Sequence, residues 1–216
     1  MIKAVIFDFD GVLVESVELK TRAFARLFEK EGEVVVSKVV DYHLNNTGVS
    51  RFEKFKYIYR DILNRELPDK KFEELCRRFS ELVTDEVVAA PYVKGAKEFL
   101  DSFHSRYSCF ISSATPQTEI EDILRRRKIA QYFKEIYGSP KAKGDIVKEI
   151  ISKNRFSPVE LVYVGDALSD YKAAFGNGVN FIARIDNNEE IFAGLNCRKI
   201  KDLTGLNEII TACVDA

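Results

Sequence analysis

The chain begins with a short apolar stretch whose pattern predicts a buried strand. Apart from Lys3, residues 2–7 are apolar, and they include β-branched side chains, which is typical of a strand covered on both faces. A helical pattern follows, carried by apolar residues at helical spacing: Val17, Phe24, Leu27 and Phe28. We expect this helix to end at Gly32. Residues 33–47 are ambiguous between helix and strand.

Two further helices are indicated before residue 89. Ser50 and Glu53 have the spacing of a capping box. The apolar stripe behind them consists of Phe52, Phe55, Tyr59 and Ile62. After Pro68 we expect Asp69 to cap another helix, whose apolar stripe consists of Phe72, Leu75, Cys76, Phe79, Leu82 and Val83. Residues 15–88 therefore look all-helical.

Beyond Pro91 short apolar strands alternate with amphipathic helices. We expect strands at 107–112, 133–137, 161–164 and 179–183, and helices at 95–103, from Pro116, at 144–153 and at 168–175. Repeated strand–helix units imply a mainly parallel sheet with helices on both faces. The predicted fold class is α/β. A Rossmann-like three-layer core comprises residues 1–15 and 89–216, and an all-helical cap of residues 16–88 is inserted after the first strand.

Composition and charge argue against several classes of partner. The 216 residues carry a formal net charge of −1, so no basic field favours nucleic acid. No apolar run approaches the ~18 residues that span a bilayer, and the first residues lack signal-peptide features. The cysteines form no CxxC pair, which favours reduced thiols; they are Cys76, Cys109, Cys197 and Cys213. We expect a cytoplasmic monomer or weak homodimer without nucleic-acid or membrane partners.

Polar residues follow most of the predicted strands. In chain order they are Asp8 and Asp10, then Ser113 and Thr115, then Lys141 and Lys143, then Asp166 and Asp170. Ligands of parallel α/β sheets bind outside the carboxyl ends of the strands, so these groups should converge at one edge. Each also has a simpler interpretation as a turn residue, a helix cap or a solvated loop charge. Their joint presence favours a functional site.

The two acids after the first strand suit phosphoryl transfer. Asp8 and Asp10 are two residues apart, so in extended chain they face the same side. One carboxylate can attack phosphorus and form an aspartyl-phosphate, while the other protonates the leaving oxygen and then deprotonates water. Mg²⁺ would relieve the repulsion between these acids and the phosphate, with Asp166 as a further oxygen donor. A lysine and a serine hydroxyl would neutralise the transferring group.

Four motifs, in this order, resemble those of the haloacid dehalogenase superfamily of phosphotransferases. The D-x-D-G-[TV] motif occurs as "DFDGV", the Ser/Thr motif lies within "ISSATP", the lysine lies within "GSPKAKGDI", and the G-D-x-x-x-D motif occurs as "VGDALSD". The helical insertion after the first motif resembles the cap of phosphoglycolate phosphatase and β-phosphoglucomutase relatives. The resemblance extends over nearly the whole chain.

The resemblance implies a role for each matched acid. Asp8 is the implied nucleophile and a metal ligand. Asp10 is the implied general acid and base, with its backbone carbonyl on Mg²⁺. Asp166 is an implied metal ligand. Asp170 belongs to the metal site, either as a ligand or by orienting a metal-bound water or the lysine.

The phosphate-binding residues follow from the same resemblance. Ser113 and the backbone N–H of Ala114 would bind phosphate, and Gly11 belongs to the same substrate-binding motif. The motif lysine stays open between two positions. The K-P-x-P-D form favours Lys141, whereas the G-S-P-x-x-K form favours Lys143. We prefer Lys143 because it keeps the GSP loop intact and lies next to the predicted helix start.

The cap residues bear on the substrate. The stretch "GVSR", residues 48–51, resembles the cap of β-phosphoglucomutase, where the arginine binds a phosphate remote from the metal. The resemblance implies that Arg51 binds a second anionic group. The basic residues that follow either add to this charge or form a solvated face; they are Lys54, Lys56 and Arg60. Lys20, expected to bind substrate, replaces a mutase histidine, and Phe79 replaces a cap lysine. Both replacements favour hydrolysis.

The resulting prediction is a phosphatase of the haloacid dehalogenase type. It would be a Mg²⁺-dependent phosphoric monoester hydrolase that acts on a small soluble phosphorylated metabolite through an aspartyl-phosphate. Asp10 favours phosphoryl transfer, since the true dehalogenases that this fold resembles lack an acid there. A β-phosphoglucomutase-like sugar-phosphate mutase is the alternative, and a non-catalytic regulatory or binding module is a third. His43 and His104 have no metal-ligand spacing, so we expect both to be structural or at the surface.

Overall fold

One parallel sheet organises the chain. The structure, a computed structural model, describes residues 1–186 and 189–212. The strands of the sheet are β1 (Ala4–Phe7), β2 (Ser108–Pro116), β3 (Phe133–Ser139), β4 (Leu161–Gly165), β5 (Asn180–Arg184) and β6 (Arg198–Ile200). They pair in the order β3-β2-β1-β4-β5-β6, and every pair is parallel. The predicted α/β fold class is confirmed, and β1 lies at the centre of the sheet.

Helices fill the connections between the strands. They are α1 (Val17–Leu27), α2 (Glu33–Leu44), α3 (Arg51–Tyr57), α4 (Asp69–Ala89), α5 (Ala96–Phe103), α6 (Gln117–Arg126), α7 (Lys143–Asn154), α8 (Leu168–Phe175) and α9 (Leu206–Ala212). A π-helical turn over Ile58–Ile62 extends α3. The helices α1 to α4 all come between β1 and α5. Within the described residues, no helix combines the length and apolarity needed to cross a bilayer.

The sheet is covered on both faces because its strands alternate. Val5 and Phe7 of β1 belong to the core cluster that includes α5, α6 and α9. Ala4 and Ile6 belong to a second cluster, formed with α7 and α8. Successive side chains of a strand point to opposite faces, so each layer of helices buries every other residue of β1. The result is the three-layer arrangement that the sequence predicts.

Several element boundaries differ from the sequence-based expectations. The ambiguous residues 33–47 contain α2. Asp69 does not cap α4: Pro68 has the extended N-cap conformation and Asp69 is the first helical residue. Pro116 ends β2 in an extended conformation, so α6 begins at Gln117. Within the described residues, Cys76, Cys109 and Cys197 are free thiols; Cys213 lies outside the described residues.

Candidate active site

Asp8 and Lys143 meet at the carboxyl edge of the sheet. Asp8 follows β1, and Lys143 is the first residue of α7, directly after the loop that ends β3. The ammonium Nζ of Lys143 lies 2.6 Å from Asp8 Oδ2 and 2.6 Å from Asp170 Oδ1. All three residues are buried. Lys141, the alternative motif lysine, is instead exposed and pairs with Glu149.

Three buried carboxylates lie close enough to share a cation. Asp8, Asp166 and Asp170 each offer an oxygen, and these oxygens lie within 4.8 Å of one another. Burial, together with the other carboxylates and against the pull of Lys143, raises the pKa of Asp8 to about 7 and that of Asp166 well above its usual value. The ionised forms of these carboxylates are unfavourable without a nearby positive charge. A hard divalent cation, which prefers oxygen ligands, would supply that charge. The donor set therefore fits the metal that the motifs imply.

Asp170 is already bonded through both of its carboxylate oxygens. Oδ1 accepts from the Lys143 ammonium and, at 2.8 Å, from the Tyr163 hydroxyl. Oδ2 accepts from the Ala167 backbone N–H at 3.1 Å. The negative charges of Asp170 and Asp8, with the hydrogen bond to Asp170, keep the pKa of Lys143 well above its usual value although burial alone would lower it. Asp170 is thus placed to hold Lys143 against Asp8.

Asp10 has a separate set of donors. The Ser16 hydroxyl donates to Asp10 Oδ1 at 2.6 Å, and the Thr115 hydroxyl donates to Oδ2 at 3.0 Å. Lys20 Nζ lies 2.5 Å from Oδ2 and also donates to the Thr115 hydroxyl at 2.9 Å. Burial raises the pKa of Asp10, but Lys20 and the hydroxyl donors outweigh it, so the net shift is downward. The sequence did not single out Ser16 for this site.

The end of β2 supplies small polar groups beside Lys143. Ser113 is buried, and its Oγ accepts from the Thr115 backbone N–H at 3.1 Å. Ser113, Ala114 and Lys143 line one cavity. Gly11, on the other side, has φ +74°, and a Cβ there would collide with the Asp166 carboxylate. Of the predicted phosphate-binding positions, Lys143 contacts the Asp8 carboxylate and Ala114 lines a cavity together with Asp8.

Arg51 does not face an open site in this structure. Its guanidinium forms a two-pronged ion pair with Glu119 of α6; Arg51 is buried, and the Glu119 side chain is 10% exposed. Ser80 of α4 donates to Glu119 Oε2 at 2.6 Å, and the guanidinium lies 4.5 Å above the centre of the Phe79 ring. The anion that Arg51 binds here is a side chain of the protein.

The basic residues that follow Arg51 do not all form a solvated face, because Lys54 is buried. Lys56 and Arg60 are exposed, as that interpretation requires, but Lys54 is only 2% exposed. Its Nζ lies 2.7 Å from Nδ1 of the buried His43. Burial and the neighbouring Lys54 lower the pKa of His43 to about 2. Both histidines were expected to be structural or at the surface. His43 is neutral and buried, whereas His104 is exposed.

One small cavity joins the acids to these helical residues. Its lining consists of Asp8, Asp10, Lys20, Phe24, His43, Thr47, Val49, Arg51, Lys54, Phe79, Ala114 and Thr115. The cavity has a volume of about 30 Å³. The cavity places cationic side chains from α1 and α3 opposite the carboxylates that follow β1.

Comparisons with known proteins agree with this geometry. A phosphorylated carbohydrates phosphatase of Thermotoga maritima is 29% identical over 190 residues, which cover 83% of each chain. A phosphoglycolate phosphatase of Synechococcus elongatus is 25% identical over 191 residues, 84% of this chain and 82% of that one. The crystal structure of β-phosphoglucomutase from Clostridium difficile superposes with a TM-score of 0.80, covering both chains completely at 18% identity. At that identity the likeness concerns the fold.

A match to a protein-family model assigns the chain to a family. The model of haloacid dehalogenase-like hydrolases matches residues 5–184. This range runs from the first strand to the end of β5 and contains every residue placed in the site above. The chain is therefore an enzyme that belongs to the haloacid dehalogenase-like hydrolase family.

Proposed function

We propose that the protein is a Mg²⁺-dependent phosphoric monoester hydrolase, located in the cytoplasm, that acts on a small phosphorylated metabolite. The observation that carries the proposal is the position of Asp8, whose carboxylate lies against Lys143 and within reach of the other two buried acids. The phosphatase relatives support the reaction class. Division of the chain into a core and a cap of residues 16–88 is part of the same proposal.

The first chemical step would form an aspartyl-phosphate on Asp8. An Asp8 oxygen attacks phosphorus and the phosphorus–oxygen ester bond breaks. Asp10 gives its proton to the leaving oxygen. Asp10 is held ionised before substrate binds, but an incoming phosphate dianion disfavours that charge and promotes proton uptake. Lys143 and Ser113 neutralise and hydrogen-bond the transferring group.

The second step would return Asp8 to its starting form. Asp10, now a carboxylate, takes a proton from water, whose oxygen attacks phosphorus while the Asp8–phosphorus bond breaks. Ser16, Thr115 and Lys20 hold Asp10 in one position during both steps. Mg²⁺ held by Asp8, Asp166 and the Asp10 carbonyl would supply positive charge between the acids and the phosphate. Asp170 serves by holding Lys143.

The matched substitutions Asp8→Asn and Asp145→Asn test this proposal. Both remove one carboxylate near the site, but Asp145 is exposed and pairs only loosely with Lys148. With Mg²⁺ and p-nitrophenyl phosphate, we expect Asp8→Asn to lower kcat by roughly 1,000-fold or more, because no nucleophile remains. Asp145→Asn should stay within about twofold of wild type. Chelation of Mg²⁺ should abolish wild-type turnover, and wild-type activity in Asp8→Asn would overturn the proposal.

A sugar-phosphate mutase is the second candidate, favoured by the complete superposition on β-phosphoglucomutase. Two contacts speak against it. Arg51, implied to bind the remote phosphate, is occupied by Glu119, and Lys20 rather than histidine contacts Asp10. An assay for interconversion of hexose 1- and 6-phosphates with a bisphosphate primer separates the two. Interconversion faster than phosphate release would favour the mutase.

A further inference from the structure

Lys54 is a buried lysine that the proposed chemistry at Asp8 does not use. Its Nζ lies 2.7 Å from His43 Nδ1 and 3.5 Å from the Thr47 carbonyl oxygen. It also lies 5.4 Å from the centre of the Phe24 ring. None of these partners carries a negative charge. Of the Asp and Glu residues that the structure describes, none lies within ion-pair distance of Lys54.

The other basic side chains of the same cavity differ from Lys54 in this respect. Lys20 is paired with Asp10 at 2.5 Å, and Arg51 is paired with Glu119. Lys54 lines the same cavity but is paired with no carboxylate. Within residues 1–186 and 189–212, it is the basic side chain of this cavity that has only neutral partners.

Burying a charged lysine among neutral partners costs free energy unless another group supplies a negative charge. A buried ammonium without a counter-ion loses its hydration without compensation. Burial, with Lys20 adding to it, lowers the pKa of Lys54 well below its usual value, and the carboxylates of Asp10 and Asp166, which are not paired with it, offset this only in part. An anion placed beside Nζ would favour the charged form again. An apolar side chain would fill this position next to Phe24 without that cost, so stability alone does not account for the lysine.

His43 and Thr47 fix the direction of the ammonium. Two of its protons suffice for His43 Nδ1 and the Thr47 carbonyl. A charged ammonium has three protons, so one donor is left for a further partner. The cavity that Lys54 lines is also lined by Asp8 and Asp10, so one molecule bound there can contact both Asp8 and Lys54.

We propose that Lys54 binds a second anionic group of the substrate, a carboxylate or a second phosphate, while the ester phosphate lies at Asp8. The inference rests on the proposed phosphatase function and narrows its substrates to phosphate esters that carry another anion. The resemblance implied that Arg51 binds the second anionic group. Because Arg51 is already paired with Glu119, we assign this binding to Lys54, three residues further along the same helix.

Matched pairs of substrates test the inference. Short-chain ω-carboxyalkyl phosphates and alkanediol bisphosphates are compared with ω-hydroxyalkyl phosphates of the same length, and p-nitrophenyl phosphate reports the basic reaction. We expect wild type to prefer one of the two anionic series over the hydroxyl series by at least about 10-fold in kcat/KM, and the preferred series identifies the anion. Hydrolysis of p-nitrophenyl phosphate without any such preference would overturn this inference and leave the phosphatase function standing.

The substitution Lys54→Met assigns the preference to Lys54. A lost hydrogen bond to a charged group corresponds to roughly 10- to 100-fold in kcat/KM, expressed mainly in KM. That loss should appear with the preferred anionic substrate, whereas turnover of p-nitrophenyl phosphate should change less than about threefold. Lys56→Met, on the exposed side of α3, is the control. Equal losses on all substrates in a folded Lys54→Met protein would contradict the inference; if the variant does not fold, the wild-type preference decides.

Discussion

Asp8 and Asp10 are two residues apart, yet their carboxyl groups have opposite surroundings. The Asp8 pKa is raised to about 7 by burial and by the neighbouring Asp170 and Asp10, against the pull of Lys143. The Asp10 pKa is lowered despite burial, because Lys20 and two hydroxyls donate to it. A pair of acids whose environments separate their pKa values is a common way to divide chemical roles. In the protein alone the separation is opposite to the proposed roles, in which Asp8 attacks as a carboxylate and Asp10 donates a proton. The proposed reaction therefore requires a cation beside Asp8 to lower its pKa and the phosphate dianion to raise that of Asp10.

His43 gives a prediction about stability at low pH. Its pKa is about 2 in the folded protein and about 6.5 in an unfolded chain. Between these values the unfolded state binds the extra proton, so the free energy of unfolding falls as pH is lowered below about 6.5. The slope approaches ~1.4 kcal/mol per pH unit for one proton. We expect His43→Gln to reduce this slope, as measured by urea unfolding between pH 4 and 7.

His104→Gln is the control for this measurement. His104 is exposed, and the same substitution there should leave the slope as in wild type. An unchanged slope in His43→Gln would show that His43 is not the group that takes up the proton on unfolding.

At the residue scale, the sequence motifs predicted the acids at the strand ends. They did not predict contacts that depend on how the helices pack, such as that between Lys54 and His43. Asp8, Asp10 and Asp166 stand at strand ends, where a parallel sheet gathers them. The choice between Lys141 and Lys143 depends on where α7 begins, which spacing alone does not decide. Lys54 alternates with exposed basic residues along the sequence, and its burial arises because α2 brings His43 against it.

At the scale of elements, α2 shows why local pattern was insufficient. Its sequence, EVVVSKVVDYHL, is rich in β-branched valines that favour strands. It is nevertheless a helix, and only Val39 and His43 are buried in it. Packing against α1 and the π-helical turn determines the outcome, and tertiary packing routinely overrides propensity. Likewise, the sequence did not indicate the short β6 and α9.

The Arg51–Glu119 pair joins α3 to α6. The two residues are 68 positions apart, so no local pattern could have predicted the contact. Ser80 of α4 completes it. Because α3 and α4 belong to the helical insertion and α6 follows β2, we infer that this pair holds the insertion over the site.

Removing one partner of this pair should be costly. Glu119→Gln leaves the buried Arg51 guanidinium without a counter-ion, and such changes cost about 3–5 kcal/mol. Asp85→Asn is the matched control, since Asp85 and Arg126 join α4 to α6 through exposed side chains, where a pair contributes about 0–1 kcal/mol. Urea unfolding measures both. Equal effects of the two substitutions would show that the buried pair has no special part in holding these elements together.

At the scale of the whole molecule, the helical insertion approaches the core closely at the site. A Cβ at Gly48, in the loop before α3, would collide with Ser169 and Ala167 at the start of α8. The cavity between the insertion and the acids that follow β1 has a volume of about 30 Å³. We infer that the insertion moves relative to the carboxyl edge of the sheet when substrate enters, and that its return excludes water from these acids.

The central claim is that Asp8 carries the phosphoryl group during turnover. The most direct measurement is to quench the enzyme while it hydrolyses a phosphate ester, reduce any acyl-phosphate with borohydride, and locate the modified residue by peptide mass spectrometry. The account predicts conversion of Asp8 to homoserine in the presence of Mg²⁺ and substrate, and no conversion without substrate. Modification of a different residue, or turnover with Asp8 unmodified throughout, would contradict it.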